Sequence, residues 1–169
     1  MESLITKKKR LQHPTLAGFG LIEIVVGSAV LSLSLLGISF YYQQALSVSQ
    51  RTAHTVQAAF LMEEGIEVAK FFRDNAWENI SNLTAGTPYY LSWTGSTWAT
   101  STTNVFVDGL FERTLVAENV YRDSNDDIVP AGAGILDVGT KKITISVAWN
   151  EKGATTTKNV STYFTDFFE

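Results

Sequence analysis

The chain has 169 residues, 45% of them hydrophobic, with a formal net charge of −4. It contains two histidines and no cysteine, which excludes disulfides and thiolate nucleophiles and makes a catalytic triad or a multi-histidine metal site hard to assemble. We therefore expect no enzyme and no catalytic residues, and we expect no direct contact with nucleic acid, because basic residues cluster only near the N-terminus.

That basic cluster, Lys7 to Arg10, precedes a long apolar run at residues 16–42. The run exceeds the apolar region of a cleavable secretory signal, about 7 to 15 residues, and reaches the roughly 20 residues that cross a bilayer as a helix. Basic residues on one side keep that end in the cytoplasm. We therefore expect a single-pass protein of the inner (cytoplasmic) membrane, whose residues after Tyr42 are periplasmic or extracellular.

A carboxylate, Glu23, lies close to the start of the apolar run. A charge inside hydrocarbon costs several kcal/mol unless it is neutralised or paired, so such a residue indicates a functional site with a partner. The alternative is a glutamate that reaches the headgroup boundary of an ordinary membrane anchor.

The run Gly18-Phe19-Gly20-Leu21-Ile22-Glu23, placed between the basic cluster and an uncharged apolar segment, resembles the N-terminus of type IV prepilins and type II secretion pseudopilins. The resemblance implies that a prepilin peptidase cuts after Gly18 and methylates Phe19. It also implies that Glu23 neutralises the N-terminal amine of an adjacent subunit during filament assembly. Gly20 stands where the family commonly has threonine. After such a cut, Glu23 would be the fifth residue and would lie one helical turn from the new amine.

The apolar helix is expected to continue as an amphipathic helix, since residues 43–77 contain no proline and one glycine, Gly65. Together the two segments would make a helix of about 60 residues. The predicted apolar stripe has three-four spacing and consists of Val48, Thr52, Thr55, Ala59, Met62, Ile66 and Ala69, flanked by Leu61, Val68 and Phe72. Charged residues Glu63, Glu64, Glu67, Lys70, Arg73 and Asp74 are expected to form a solvated face, and paired catalytic carboxylates are the alternative.

Strands are expected after the helix stops at residues 79–88, because "YYLSW", "VFVDGLFERTLVAENVY" and "KKITISVAWNEKGATTTKNVSTYFTDFF" are rich in β-branched and aromatic residues. The last segment predicts an antiparallel hairpin that turns at residues 150–153. The stretch "SWTGSTWATSTTN" is expected to be an exposed loop, in which Trp93 and Trp98 could instead contact a partner or a glycan.

The helix segment "FLMEEGIEVAKFFRDNAWENI" and the ending "TYFTDFF" resemble one subgroup of minor pilins, related to a minor pseudopilin of type II secretion. This resemblance favours a minor rather than a major filament subunit. It covers both ends of the chain and the order of its elements.

The loop at residues 122–134 contains Asp123, Asn125 and Asp127 at the alternate spacing of calcium loops. Ile128 stands where such a loop needs glycine, and Gly134 stands where it needs glutamate. We therefore expect a polar turn and no cofactor, with calcium at these three residues as the weaker alternative.

The expected fold class is α+β and pilin-like: a long N-terminal helix, transmembrane and then amphipathic, packed against a C-terminal antiparallel sheet. The expected parts are a cleaved leader at residues 1–18, a transmembrane half at 19–42, an amphipathic half at 43–80 and a β-rich head at 81–169. The expected function is a minor pilin or pseudopilin of a type IV pilus or a type II secretion-like filament. Its partners would be prepilin peptidase, other pilin-like subunits through the N-terminal helix, and inner-membrane lipid before assembly. The alternatives are a membrane-anchored binding module that does not polymerise, or an enzyme on the same anchor.

Overall fold

The computed structural model describes residues 20–167. Two helices come first, α1 (Leu21–Asn75) and α2 (Glu78–Ser81). The strands that follow are β1 (Pro88–Trp93), β2 (Trp98–Ser101), β3 (Phe106–Val107), β4 (Phe111–Arg122), β5 (Ile128–Val129), β6 (Ile135–Glu151) and β7 (Ala154–Thr165). The chain divides into two compact units, Met1–Ser47 and Val48–Glu169.

In the first unit, the described residues form the beginning of α1, and every residue from 20 to 46 is exposed. Serine hydroxyls in this segment form hydrogen bonds with the backbone of the same helix. The hydroxyls of Ser32, Ser34 and Ser39 each donate a hydrogen bond to the carbonyl four residues earlier, at 2.8 to 2.9 Å. Such bonds remove hydroxyl donors from a surface that is otherwise apolar.

The second unit contains an antiparallel sheet with strand order β2-β1-β4-β6-β7, and β3 and β5 also pair with β4. Its core lies between this sheet and residues 58–72 of α1. The expected α+β class, a long apolar N-terminal helix with a C-terminal antiparallel sheet packed on it, is therefore confirmed.

At Gly65 the helix α1 lies close against the sheet. A Cβ added there would lie 2.7 Å from Cγ2 of Ile145 on β6, which is closer than real Cβ contacts come. The glycine therefore permits an approach that any other residue would prevent.

The predicted apolar stripe of this helix was partly wrong. Val48, Thr52, Thr55 and Ala59 are exposed, whereas Val68 and Phe72, predicted only as flanking residues, are buried together with Ala58. The reason is that the helix contacts the sheet through the face that carries Gly65. This face overlaps only the end of the predicted stripe, where Ala69 is buried and Met62 and Ile66 pack against the core.

The C-terminal hairpin agrees with its prediction. Glu151 on β6 pairs with Ala154 on β7, and the two residues between them, Lys152 and Gly153, both have positive φ, 52° and 85°. This is the two-residue turn whose twist matches that of paired strands. Ile143, Ile145, Val147 and Trp149 of β6 all face the core.

Turns with positive φ divide two other segments. "VFVDGLFERTLVAENVY" forms strands, as expected, and a turn at Asp108 and Gly109, which have φ values of 52° and 67°, separates them into β3 and β4. The expected loop "SWTGSTWATSTTN" contains β2, which pairs with β1 across a turn that includes Gly95. Both turns depend on residues that tolerate positive φ.

Candidate functional site

Glu23 lies in the first turn of α1, where its backbone N–H donates to the carbonyl of Gly20 at 2.9 Å. A carboxylate in this position interacts favourably with the positive end of the helix dipole. The side chain is exposed, and within residues 20–167 no group forms an ion pair or hydrogen bond with its carboxylate. Gly18 and Phe19, the predicted processing and methylation residues, lie outside the described residues.

The surroundings of Glu23 along the chain are apolar. The next charged residue is Arg51, and the intervening helix presents exposed side chains such as Leu21, which is 82% exposed, and Leu33, which is 69% exposed. By length and composition, α1 can cross a membrane. Glu23 is thus the one charged group in the first 30 residues of this helix.

A second group of functional interest surrounds Arg113 on β4, a charged residue that is only 3% exposed. Its guanidinium forms an ion pair with Glu64 and lies 5.2 Å from the ring centroid of Trp98. Glu64 was predicted to belong to a solvated face. The sequence held a signal for the burial of Arg113, since it lies on the same face of β4 as the inward-facing Phe111 and Leu115.

Beside this ion pair lies an open cleft of about 500 Å³ between α1 and the β1–β2 hairpin. It is lined by Glu64, Glu67, Val68, Phe71, Trp93, Ser96, Thr97 and Trp98. Trp93 is 56% exposed and packs edge-on against Trp98 at 5.6 Å between centroids. The carboxylates of the cleft are already paired, Glu64 with Arg113 and Glu67 with Lys70, so the exposed aromatic rings are its most available groups.

The calcium alternative receives no support from the described residues, among which no group of three or more His, Cys, Asp or Glu side chains is placed to hold a metal. Oδ1 of Asp123 accepts hydrogen bonds from the backbone N–H groups of Asn125 and Asp127, at 2.8 and 3.0 Å. Asp123 therefore stabilises the turn by the hydrogen-bonding pattern common in Asx turns.

Arg122 anchors the same loop to β6. Its guanidinium donates to Oδ2 of Asp137 at 2.7 Å and to the carbonyl of Asp126 at 2.8 Å. Partial burial alone would raise the pKa of Asp137, but hydrogen bonds from Arg122, Thr140 and the N–H of Gly139 outweigh it, and the pKa lies below its ordinary value. This pair holds the loop in place.

Comparison with known proteins finds no match to this chain among protein-family models, curated proteins or solved structures.

Proposed function

We propose that this chain is a minor pilin or pseudopilin subunit, which prepilin peptidase processes and which assembles into a type IV pilus or a type II secretion-like filament. Before assembly it is held in the inner membrane by α1, with its N-terminus in the cytoplasm and residues after Tyr42 on the outer side.

The observation that carries the proposal is the position of Glu23. It is the single charge in an exposed apolar helical segment, it sits in the first turn, and the prepilin-like residues Gly18 and Phe19 precede it at the family spacing. An anchor that only holds a domain in lipid needs no carboxylate there. A filament that packs such helices together provides the missing counter-charge, the amine of a neighbouring subunit.

Processing is tested by the intact mass of the mature chain from membranes that contain an active prepilin peptidase. The mass should correspond to a chain that begins at methylated Phe19, and Gly18→Leu should retain the full-length mass. A wild-type chain that still carries Met1 under these conditions would contradict the proposal.

Assembly is tested separately with Glu23→Ala and Glu23→Gln. Both variants should insert and be cleaved normally, because removing a charge from the apolar segment favours insertion. The fraction of tagged chain that co-purifies with sheared filaments should fall, and a wild-type fraction for Glu23→Gln would assign a hydrogen bond rather than an ion pair. Normal incorporation of both variants would remove the assembly role.

The second candidate, a membrane-anchored binding module that does not polymerise, is favoured by the cleft with Trp93 and Phe71. Both rings line the cleft and are about half exposed, and exposed aromatic rings are common at binding sites. This candidate predicts that Trp93→Ala alters ligand binding while Glu23→Ala has no effect on any function. Filament incorporation that depends on Glu23 would decide against it.

A further inference from the structure

The last strand of the sheet, β7, has a free edge. It pairs with β6 on one side, and within residues 20–167 no strand pairs with it on the other. β7 is 12 residues long, contains no proline and carries one charged residue, Lys158. Native proteins commonly protect exposed edges by shortening them or by adding proline, bulges or several charges. This edge has one such device, Lys158, over its whole length.

The hairpin register identifies the backbone groups at this edge. In a two-residue hairpin the pair that flanks the turn exchanges both hydrogen bonds, and such pairs then alternate along the strands. Glu151 and Ala154 are that pair, so Thr156, Lys158, Val160, Thr162 and Phe164 direct their N–H and C=O groups toward β6. Two contacts agree with this alternation. The N–H of Asp166 donates to the carbonyl of Gly139 at 2.9 Å. The hydroxyls of Thr144 and Ser161 lie 2.8 Å apart, in a pair whose backbone groups do not bond to each other and whose side chains are therefore close.

The residues in between therefore direct their N–H and C=O groups away from the sheet. These residues are Thr155, Thr157, Asn159, Ser161 and Tyr163, and all five are exposed. Only an extended chain presents donors and acceptors at the repeat needed to pair with them. The geometry of the edge thus specifies a β-strand as its occupant.

An apolar groove adjoins the edge on the side that faces α1. Its volume is about 380 Å³, and its lining includes Ala59, Met62 and Ile66 of α1 and Val160 of β7. Val160 is 38% exposed and Ala59 is exposed, so the helix leaves this part of β7 uncovered. A strand added to β7 would place every second side chain above this groove.

The charged rim of the groove indicates a further property of that strand. Glu67 is already paired with Lys70 at 2.7 Å, whereas Glu63, exposed on the same rim, has no ion pair or hydrogen bond within the described residues. A basic side chain on the groove side of the strand would complement Glu63.

We propose that the β7 edge is a docking site for an extended segment of another protein, which adds to the sheet as a strand. That segment carries aliphatic residues at alternate positions, which fill the groove, and a lysine or arginine on the same side, which meets Glu63. Backbone pairing supplies the affinity and the groove supplies the selectivity, as in other cases of strand addition. The inference concerns the second unit alone and does not depend on the proposed filament function.

The probe is a short, capped and fluorescently labelled peptide that alternates threonine and valine, with one valine replaced by lysine. When the valines face the groove, the threonine backbone groups face β7 and the valine backbone groups face away. One peptide is therefore N-methylated at its valines and a matched isomer at its threonines. Both isomers have the same composition and one blocked edge each.

Fluorescence anisotropy with the full chain in detergent should show that the valine-methylated peptide binds at least about tenfold more tightly than the threonine-methylated isomer, which loses the hydrogen bonds or turns its valines out of the groove. Replacing the lysine of the peptide by glutamate should also weaken binding. Equal binding of the two isomers, or no binding by either, would overturn the proposal.

Chain variants locate the binding. Ala59→Glu should abolish binding by filling the groove with a charge, whereas Ala53→Glu, at another exposed alanine of the same helix outside the groove, should bind as wild type. Asn159→Pro removes one outward donor and keeps the bonds to β6, so it should weaken binding with an unchanged circular-dichroism spectrum. Self-association of the chain that Asn159→Pro abolishes would instead assign the edge to a second copy and contradict a foreign strand.

Discussion

The two parts of α1 obtain their stability from different environments, although both are helical and both contain glycine. Residues 20–46 are all exposed, while residues 58–72 include five buried residues: Ala58, Gly65, Val68, Ala69 and Phe72. The glycines show the contrast most directly. A Cβ added at Gly27 or Gly37 would meet nothing within 4 Å, whereas one at Gly65 would contact Ile145 at 2.7 Å. Glycine therefore lies on an unpacked surface in the first unit and allows close packing of helix and sheet in the second.

The polar groups of the two units differ in the same way. In the first unit, serine hydroxyls bond to carbonyls of their own helix, and Glu23 has no partner within residues 20–167. In the second unit, Arg113 is buried and obtains its partners from another element, Glu64 and the carbonyl of Leu61. The second unit therefore has a hydrophobic core of its own, whereas residues 20–46 of the first unit expose apolar side chains and a charge that has no partner within the described residues.

The largest effect should come from Ile145→Ala, because Ile145 is fully buried between β6 and the helix. The free energy of unfolding should fall by about 2 to 5 kcal/mol. All four tryptophans lie in the second unit, so tryptophan fluorescence in a denaturant titration measures its unfolding in the full chain. The matched control, Leu33→Ala in the exposed segment, should leave this transition unchanged; a comparable loss there would contradict the separation of the two units.

Gly65→Ala should have the next largest effect, about 1 to 3 kcal/mol, since the added methyl group forces Ile145 and the helix apart. Gly37→Ala is the control, because it adds the same group where nothing lies within 4 Å. The tryptophan-detected midpoint should shift for the first variant only. If both variants unfold at the wild-type midpoint, the close packing at Gly65 contributes nothing measurable to the free energy of unfolding.

Local patterns in the sequence were sufficient to predict the helix and the C-terminal hairpin. Alternation in β6 and the pair Lys152-Gly153 predict that hairpin because period and turn chemistry are local properties. The helix face could not be predicted as well, since the search for a stripe counts side chains and Gly65 has none. The Glu64–Arg113 pair joins residues 49 positions apart, and only the fold reveals it.

The same limit applies to the candidate sites. Glu23 is recognisable from sequence because a charge in an apolar run is a local anomaly. The free edge of β7 follows from strand order, which depends on all the pairings of the sheet. No single segment encodes it.

Glu64→Gln tests whether a carboxylate paired with a buried charge contributes more to stability than a solvated carboxylate. The change leaves the buried Arg113 without a carboxylate, and we expect a loss of about 1 to 2 kcal/mol, reduced from the cost of a fully buried pair because Glu64 is 45% exposed. Glu63→Gln, on the adjacent exposed carboxylate, should change the unfolding free energy by less than about 0.5 kcal/mol. Denaturant titration of both variants makes the comparison, and equal values would mean that the ion pair of Glu64 with Arg113 contributes no more to stability than the unpaired carboxylate of Glu63.

The smallest effect concerns the pH dependence of the second unit through Asp137. Because the pKa of this carboxyl is lowered in the folded chain, its contribution is fully present above the ordinary aspartate pKa, about 3.9, and is lost as the pH falls through the folded value. Asp137→Asn removes that contribution. The variant should therefore be less stable than wild type at about pH 6, and the difference should shrink toward about pH 3.

Asp126→Asn is the control, since that carboxylate is 85% exposed and lies 3.6 Å from the same guanidinium. If the deficit of Asp137→Asn in denaturant titrations is the same at both pH values, Arg122 stabilises the loop through its bond to the carbonyl of Asp126, and the carboxylate of Asp137 contributes no pH-dependent stability.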